Sequence, residues 1–134
     1  MTLASLEIDI TIAREIESDN NISELSDSAL IALNQDSAKR VLQSDMDYVF
    51  NLLEETTTTK LDALIDKYTE EFQMALLYLQ FYQYFESSIY RDNEYGLYKA
   101  DRYKKLYNEE KSKWSRMYAG TSTANTSIIN IIRN

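Results

Sequence analysis

The sequence contains no cysteine, no histidine and no proline, and only two glycines, Gly96 and Gly120. Each absence closes a class. Without cysteine there is no disulfide framework, no thiolate nucleophile and no thiolate metal site. Without histidine, the commonest general base and the commonest transition-metal ligand are both missing. A strand-and-turn architecture needs glycine and proline at its turns, so their scarcity points to long helices. Long apolar runs are also missing. The stretch FQMALLYLQFYQYF, residues 72–85, is uncharged over 14 residues. That is about six short of a membrane-spanning helix. It also holds Tyr78, Gln80, Gln83 and Tyr84, so no membrane association is expected. The start, MTLASLEIDI, carries acids early and lacks a basic region. It does not read as a signal peptide, and a cytoplasm-like compartment is expected.

What is present is a chain of 134 residues with 44% hydrophobic residues. That suits one globular domain with a single core. The net charge is −8, unevenly placed. Residues 1–93 hold 18 acids and 6 bases, a net of −12, and residues 94–134 hold 4 acids and 8 bases, a net of +4. Asymmetry of this kind orients a protein toward a charged partner or another copy of itself.

The pattern along the chain is helical. At the N-terminus Leu6, Ile8, Ile10 and Ile12 alternate with polar residues, the period of a half-buried strand. Leu3, Leu6, Ile10 and Ile16 also fit a helical stripe loosely, but residues 1–22 are expected as an extended arm or short strand. Asn21 with Glu24, or Ser26 before Asp27, suits a helix start, and Ser44 with Asp47 suits another. Thr59 opens the clearest element. Leu61, Leu64, Ile65, Tyr68, Phe72, Ala75, Leu76, Leu79, Tyr82, Phe85 and Ile89 recur at steps of three and four. The spacing predicts one helix of about 30 residues, roughly 45 Å long. RDNE at 91–94 is a break. A last helix follows from Glu94 to about Ala119, with an aromatic apolar side and Gly120 at its end. The tail TSTANTSIINIIRN is polar, then apolar at Ile128, Ile129, Ile131 and Ile132.

The expected fold is all-α: a small bundle of about four helices with one long central helix and extended N- and C-terminal arms. Residues 23–120 form the bundle and residues 121–134 an extended arm. The central helix carries an apolar surplus. Met74, Leu77, Tyr78, Phe81 and Tyr84 lie off the main stripe, where a small domain normally turns charge to water. Another subunit or a covering helix must shield them. Tyrosine suits interfaces, since it buries area at low entropy cost and keeps a polar tip. Tyr78, Phe81, Tyr84, Tyr107 and Trp114 are accordingly the expected interface residues.

The reactive groups point to no enzyme. Asp62, Asp66, Glu70, Glu71, Glu109 and Glu110 lie off the apolar stripe and read as solvated acids; a bundle di-iron site wants a histidine partner on inward positions. A serine or threonine nucleophile needs a base, and no constellation supplies one. No cofactor or metal is expected. Lys99, Arg102, Lys104, Lys105, Lys111, Lys113 and Arg116 share a helix with tyrosines, a pattern that can bind nucleic acid. Asp101, Glu109 and Glu110 interrupt it, and the chain as a whole is acidic.

The order of elements carries a resemblance. The opening Leu25-Ser26-Asp27 with Leu30, the apolar and aromatic long helix, and a closing helix with Arg102-Tyr103, Tyr107 and Gly120 resemble the head–tail connector (adaptor) proteins of tailed bacteriophages. The resemblance covers roughly residues 23–120. It implies a structural virion protein made in the host cytoplasm: a homo-oligomeric ring, commonly of twelve copies, beneath the portal protein in the neck. Such a ring extends the DNA channel, without sequence-specific binding, and receives tail or neck proteins. It also gives the C-terminal arm a role, with Ile128, Ile129, Ile131 and Ile132 anchoring to a partner as an added strand. The rival reading of the same residues is a helical protein–protein interaction module, adaptor or regulator, of a bacterial cytoplasm.

Overall fold

Asn34 sets the turn from which the bundle is built. Its φ of 54° is the one positive value at a non-glycine residue among the described residues, and asparagine tolerates that left-handed conformation better than most residues. Before it lie α1 (Ile10–Ile16), α2 (Asn20–Ser23) and α3 (Asp27–Ala32); after it come α4 (Gln35–Leu52), α5 (Thr58–Lys67), α6 (Thr69–Phe85) and α7 (Glu94–Thr121). The computed structural model describes residues 1–52, 58–87 and 89–121, and the side chains among them other than those of 50–52, 58–60 and 115–121. Among the described residues there is no strand.

The expected all-α bundle is what forms, with α4 to α7 as its body and three short helices ahead of it. α6 is the central element and packs against α7, α4 and α5. The core is one cluster drawn from every helix, with Leu6 and Ile8 of the N-terminal segment, Leu42 and Met46 of α4, Ile65 of α5, Phe72 and Leu76 of α6, and Tyr103 and Trp114 of α7. Gly96 lets α7 start tight against the preceding turn. A Cβ there would lie 2.4 Å from the Tyr90 Cβ and 2.7 Å from the Tyr90 carbonyl oxygen.

Several finer expectations are corrected. The 59–89 stripe is not one helix. It divides at Tyr68, whose φ of −123° and ψ of 44° leave the helical region. The Thr69 hydroxyl donates to the Ile65 carbonyl at 2.8 Å and the Asp66 carbonyl at 3.2 Å, a side-chain alternative to continued backbone pairing. The stripe also stops at Phe85, so Ile89 is exposed rather than buried. Ser44 and Asp47 open no helix, because α4 runs through them. Its continuous buried row of Ala38, Leu42, Met46 and Val49 outweighs a local capping signal. α7 passes through Gly120 to Thr121.

The N-terminal expectation of an arm or strand divides in two. Residues 1–9 carry no helix but are packed down, with Leu6 and Ile8 buried. Ile10–Ile16 is a helix, capped by Asp9, whose carboxylate accepts from the Thr11 and Ile12 amides. Leu6 and Ile8 follow the strand period, but Asp9 stops it with a cap. The Ser26 cap is as expected, accepting from the Ala29 amide at 3.2 Å. The 91–94 break is also present, with Asn93 accepting from the Tyr95 amide at 2.8 Å.

Candidate functional site

The fate of 72–85 is decided by α7. Helix α7 turns a buried row of Ala100, Tyr103, Tyr107 and Trp114 toward α6. Phe72 meets Trp114 at 5.3 Å between ring centroids, Phe81 meets Tyr103 at 5.2 Å edge-on, and Tyr107 meets Trp114 at 5.7 Å edge-on. These are separations at which aromatic pairs attract. The expectation that Tyr107 and Trp114 face another subunit is therefore corrected, and of the two covers expected for Phe81, another subunit or a covering helix, the helix is the one present. The chain's own α7 covers Phe81, and Tyr107 and Trp114 are part of that cover. Tyr78 and Tyr84 are half-buried on the same seam, Tyr78 6.3 Å from Tyr103 and Tyr84 5.5 Å from Tyr90. Ile128, Ile129, Ile131 and Ile132 lie outside the described residues.

Two polar features inside the bundle go beyond what the sequence predicts. The first is Gln80, fully buried within the apolar stretch. Its Nε2 donates to the carbonyls of Ile31 at 3.2 Å and Leu33 at 2.6 Å. Those are end groups of α3 that lack a helical partner. Asn34 returns the contact, its Nδ2 donating to the Gln80 carbonyl at 3.3 Å. The second is Glu17, 1% exposed. It accepts from the Tyr103 hydroxyl at 2.5 Å, from Lys99 Nζ at 3.2 and 3.1 Å, and from the Asp19 amide at 3.1 Å. Asp19 continues the network. It caps α2 and accepts from the hydroxyls of Tyr90 and Tyr95, each at 3.2 Å. The Lys99 ammonium also sits over the Tyr95 ring at 5.6 Å. A charge this buried persists only when paired and hydrogen-bonded. The oxygens of both carboxylates are engaged by the chain's own donors. The arrangement is therefore a staple joining the N-terminal helices to α7.

The staple leaves a titration signature. Burial and the Glu17 carboxylate push the Tyr103 hydroxyl well above the usual tyrosine value. Burial and Asp19 push Tyr95 up to about 12. Burial and Glu86 push Tyr82 up to about 12. A folded-state value raised above the unfolded one favours the protonated, folded form. This stabilisation is complete below about pH 10, the unfolded tyrosine value, and is lost as pH rises through the folded values. We predict a denaturant midpoint that is flat from neutral pH to about pH 10 and falls above it. The buried Tyr103 alone should contribute a slope of up to about 1.4 kcal/mol per pH unit. Urea titrations across the alkaline range would check this.

The basic stripe of α7 is largely neutralised within the chain. Lys99 pairs with Glu17, Lys105 with Asp101 at 2.9 Å, Lys111 with Asp45 at 4.0 Å and Lys113 with Glu110 at 3.0 Å. Glu110 is itself a correction, since it is buried rather than solvated. Its carboxylate helps burial raise the Tyr78 hydroxyl. Among the described residues no cluster of acids could hold a metal ion, and no helix is long and apolar enough to cross a membrane.

What remains for a partner is on the outside. Leu97 and Tyr98 of α7 are 58% and 63% exposed. Beside them Tyr98, Asp101, Arg102, Lys105 and Leu106 line a shallow hollow of about 360 Å³. On α4, Val41 and Tyr48 are exposed. Single exposed apolar residues are ordinary, but grouped ones mark interaction surfaces. The sequence holds a signal for Tyr98, since it falls opposite the 96–100–103–107 row. Reading all the tyrosines of α7 as one apolar side masks it.

No family model, curated protein or solved structure matches the chain. The residues that carry the connector resemblance have structural work of their own. Ser26 caps α3, Asp27 pairs with Arg14 at 2.9 Å, and Leu30 is fully buried. Tyr103 bonds Glu17, and the Tyr107 hydroxyl donates to Asp45.

Proposed function

We propose that this chain is a structural interaction protein, a head–tail connector subunit that acts in a ring beneath a phage portal. The observation that supports it is the outward strip on the longest helix: Leu97 and Tyr98 are exposed while the interior is closed by the chain's own aromatic residues and polar staples. A protein whose buried Glu17 and Gln80 bind its own helices, and which keeps Leu97 and Tyr98 exposed, is built to be held by neighbours. The acidic body suits a DNA channel wall, because basic contacts to phosphate are what supply non-specific affinity. We assign the link to the portal or tail to residues 122–134, which lie outside the described residues.

The test is composition of purified particles. Quantitative mass spectrometry should find the chain in virions in multiple copies, and antibody labelling should place it at the neck. Absence from particles would sink the connector reading and leave the helical interaction module of a bacterial cytoplasm in its place.

A further inference from the structure

The corner between α3 and α4 consists of Leu33 and Asn34 alone. Leu33 leaves the helical region with ψ at 109°, and Asn34 is left-handed at φ 54°, a conformation disfavoured for any residue with a Cβ. Nothing else in the local sequence breaks a helix. Residues 27–52 contain no glycine or proline. The buried Leu30 of α3 and the buried Ala38, Leu42 and Met46 of α4 stand at multiples of four, so a straight helix would keep them on one side. The bend is held from outside. Gln80 Nε2 occupies the Ile31 and Leu33 carbonyls, which in a straight helix would accept from the amides of Gln35 and Ser37. Residues 1–33 form a unit of their own. Arg14 of α1 donates to the Leu25 carbonyl at 2.8 Å and pairs with Asp27 at 2.9 Å, so α1 and α3 are tied together. Among the described residues, no backbone–backbone hydrogen bond joins this unit to α4–α7. The polar links involve side chains throughout, among them Lys39 to the Ala4 carbonyl at 2.7 Å, Gln73 to the Glu7 carbonyl at 3.0 Å and the Glu17 and Asp19 staple. The apolar link is Leu6, Ile8, Ala13, Ile22 and Leu30, buried in the common core. The unit therefore cannot leave the bundle uncovered, and the surface that fits it is the body of this same chain.

We infer that Leu33–Asn34 is an exchange hinge between two copies of this chain. When it straightens, α3 and α4 join into one helix, and the N-terminal unit of each copy docks on the body of the other. The contacts of the exchanged dimer are those already made within the chain, including Glu17 with Lys99 and Tyr103. Exchange of an identical element costs little for that reason, and a short strained hinge favours it. Gln80 is the latch, since straightening gives its carbonyl partners to backbone amides. The inference is independent of the connector reading, which particle composition tests.

Dimer formation by the full chain tests it, measured by sedimentation velocity after refolding from urea at millimolar concentration. Asn34 is exposed, so its substitutions leave the core intact. Asn34→Ala penalises the left-handed bend and favours the straight helix, while Asn34→Gly accepts the bend and weakens the helix. The dimer should be about tenfold or more tighter in Asn34→Ala than in Asn34→Gly. Gln80→Leu should also favour the dimer, and a Gln80→Leu chain as monomeric as the wild type overturns the latch. A charge swap reports the exchange itself. Glu17→Lys and Lys99→Glu should each be destabilised alone, because each places like charges in one staple. Refolded together they should form a heterodimer, in which residue 17 of each chain meets an opposite charge at residue 99 of the other. Equal dimer strength in the two Asn34 variants overturns the inference, by placing the contact on a surface away from the hinge. An Asn34→Ala chain that stays monomeric overturns it, as does a mixture of the charge variants that forms no heterodimer.

Discussion

Replacing Trp114 by alanine should cost about 3–5 kcal/mol of folding stability, the range for deleting a large buried aromatic side chain. Trp114 is fully buried and meets both Phe72 and Tyr107 at aromatic contact distance. It lies where α7 meets the first turn of α6, so its loss opens a cavity between the two helices that share the most extensive packing. For a domain of this size the melting temperature should fall by roughly 10–20 °C. Tyr98→Ala is the matched control. Tyr98 is also a large aromatic on α7 but is exposed, so its removal should shift stability by no more than about 0.5 kcal/mol. Thermal melts of the two variants would check both. Equal effects would mean that Trp114 is not the core anchor described here.

Removing the Glu17 carboxylate should be comparably damaging. Breaking a buried ion pair by deleting one partner typically costs about 3–5 kcal/mol. In Glu17→Ala the Tyr103 hydroxyl loses its acceptor inside the core, and Lys99 loses its counter-charge. The Lys99 side chain is 17% exposed, so it recovers some hydration, and the lower end of that range is expected. The double variant Glu17→Leu with Lys99→Met should recover much of the loss, since apolar residues of similar volume often replace a buried pair at little cost. A double-mutant cycle by urea denaturation measures the coupling. Near-additive effects would show that the contact between the segment after α1 and α7 contributes little beyond its packing.

The partners of Glu17 also explain why the N-terminal third cannot be placed from its own residues. Leu6, Ile8, Ile10 and Ile12 alternate locally, yet Asp9 ends the alternation as a helix cap. Glu17 reads as one more acid in an acidic segment. Its partners Lys99 and Tyr103 are more than 80 residues away, and no local pattern announces them. Gln80 is similar. In the sequence it is polarity within an apolar stretch, whereas in the fold it serves the carbonyl groups at the end of α3. The break at Tyr68 is hidden for the opposite reason, because the apolar spacing continues straight across it.

The sequence by itself determined the class of fold. Helical spacing over 61–85, the Ser26 cap, the break before Glu94 and the near absence of glycine and proline leave an all-α bundle as the consistent solution. It also excluded disulfides and any cysteine or histidine chemistry. Only the tertiary structure decided which apolar faces belong to the chain itself. Periodicity reports that a face must be buried; it does not report by what. The second face of α6 is covered by α7, and that choice moved Phe81, Tyr107 and Trp114 into the core. Burial is a property of two surfaces in contact, and one helix read alone shows only its own half.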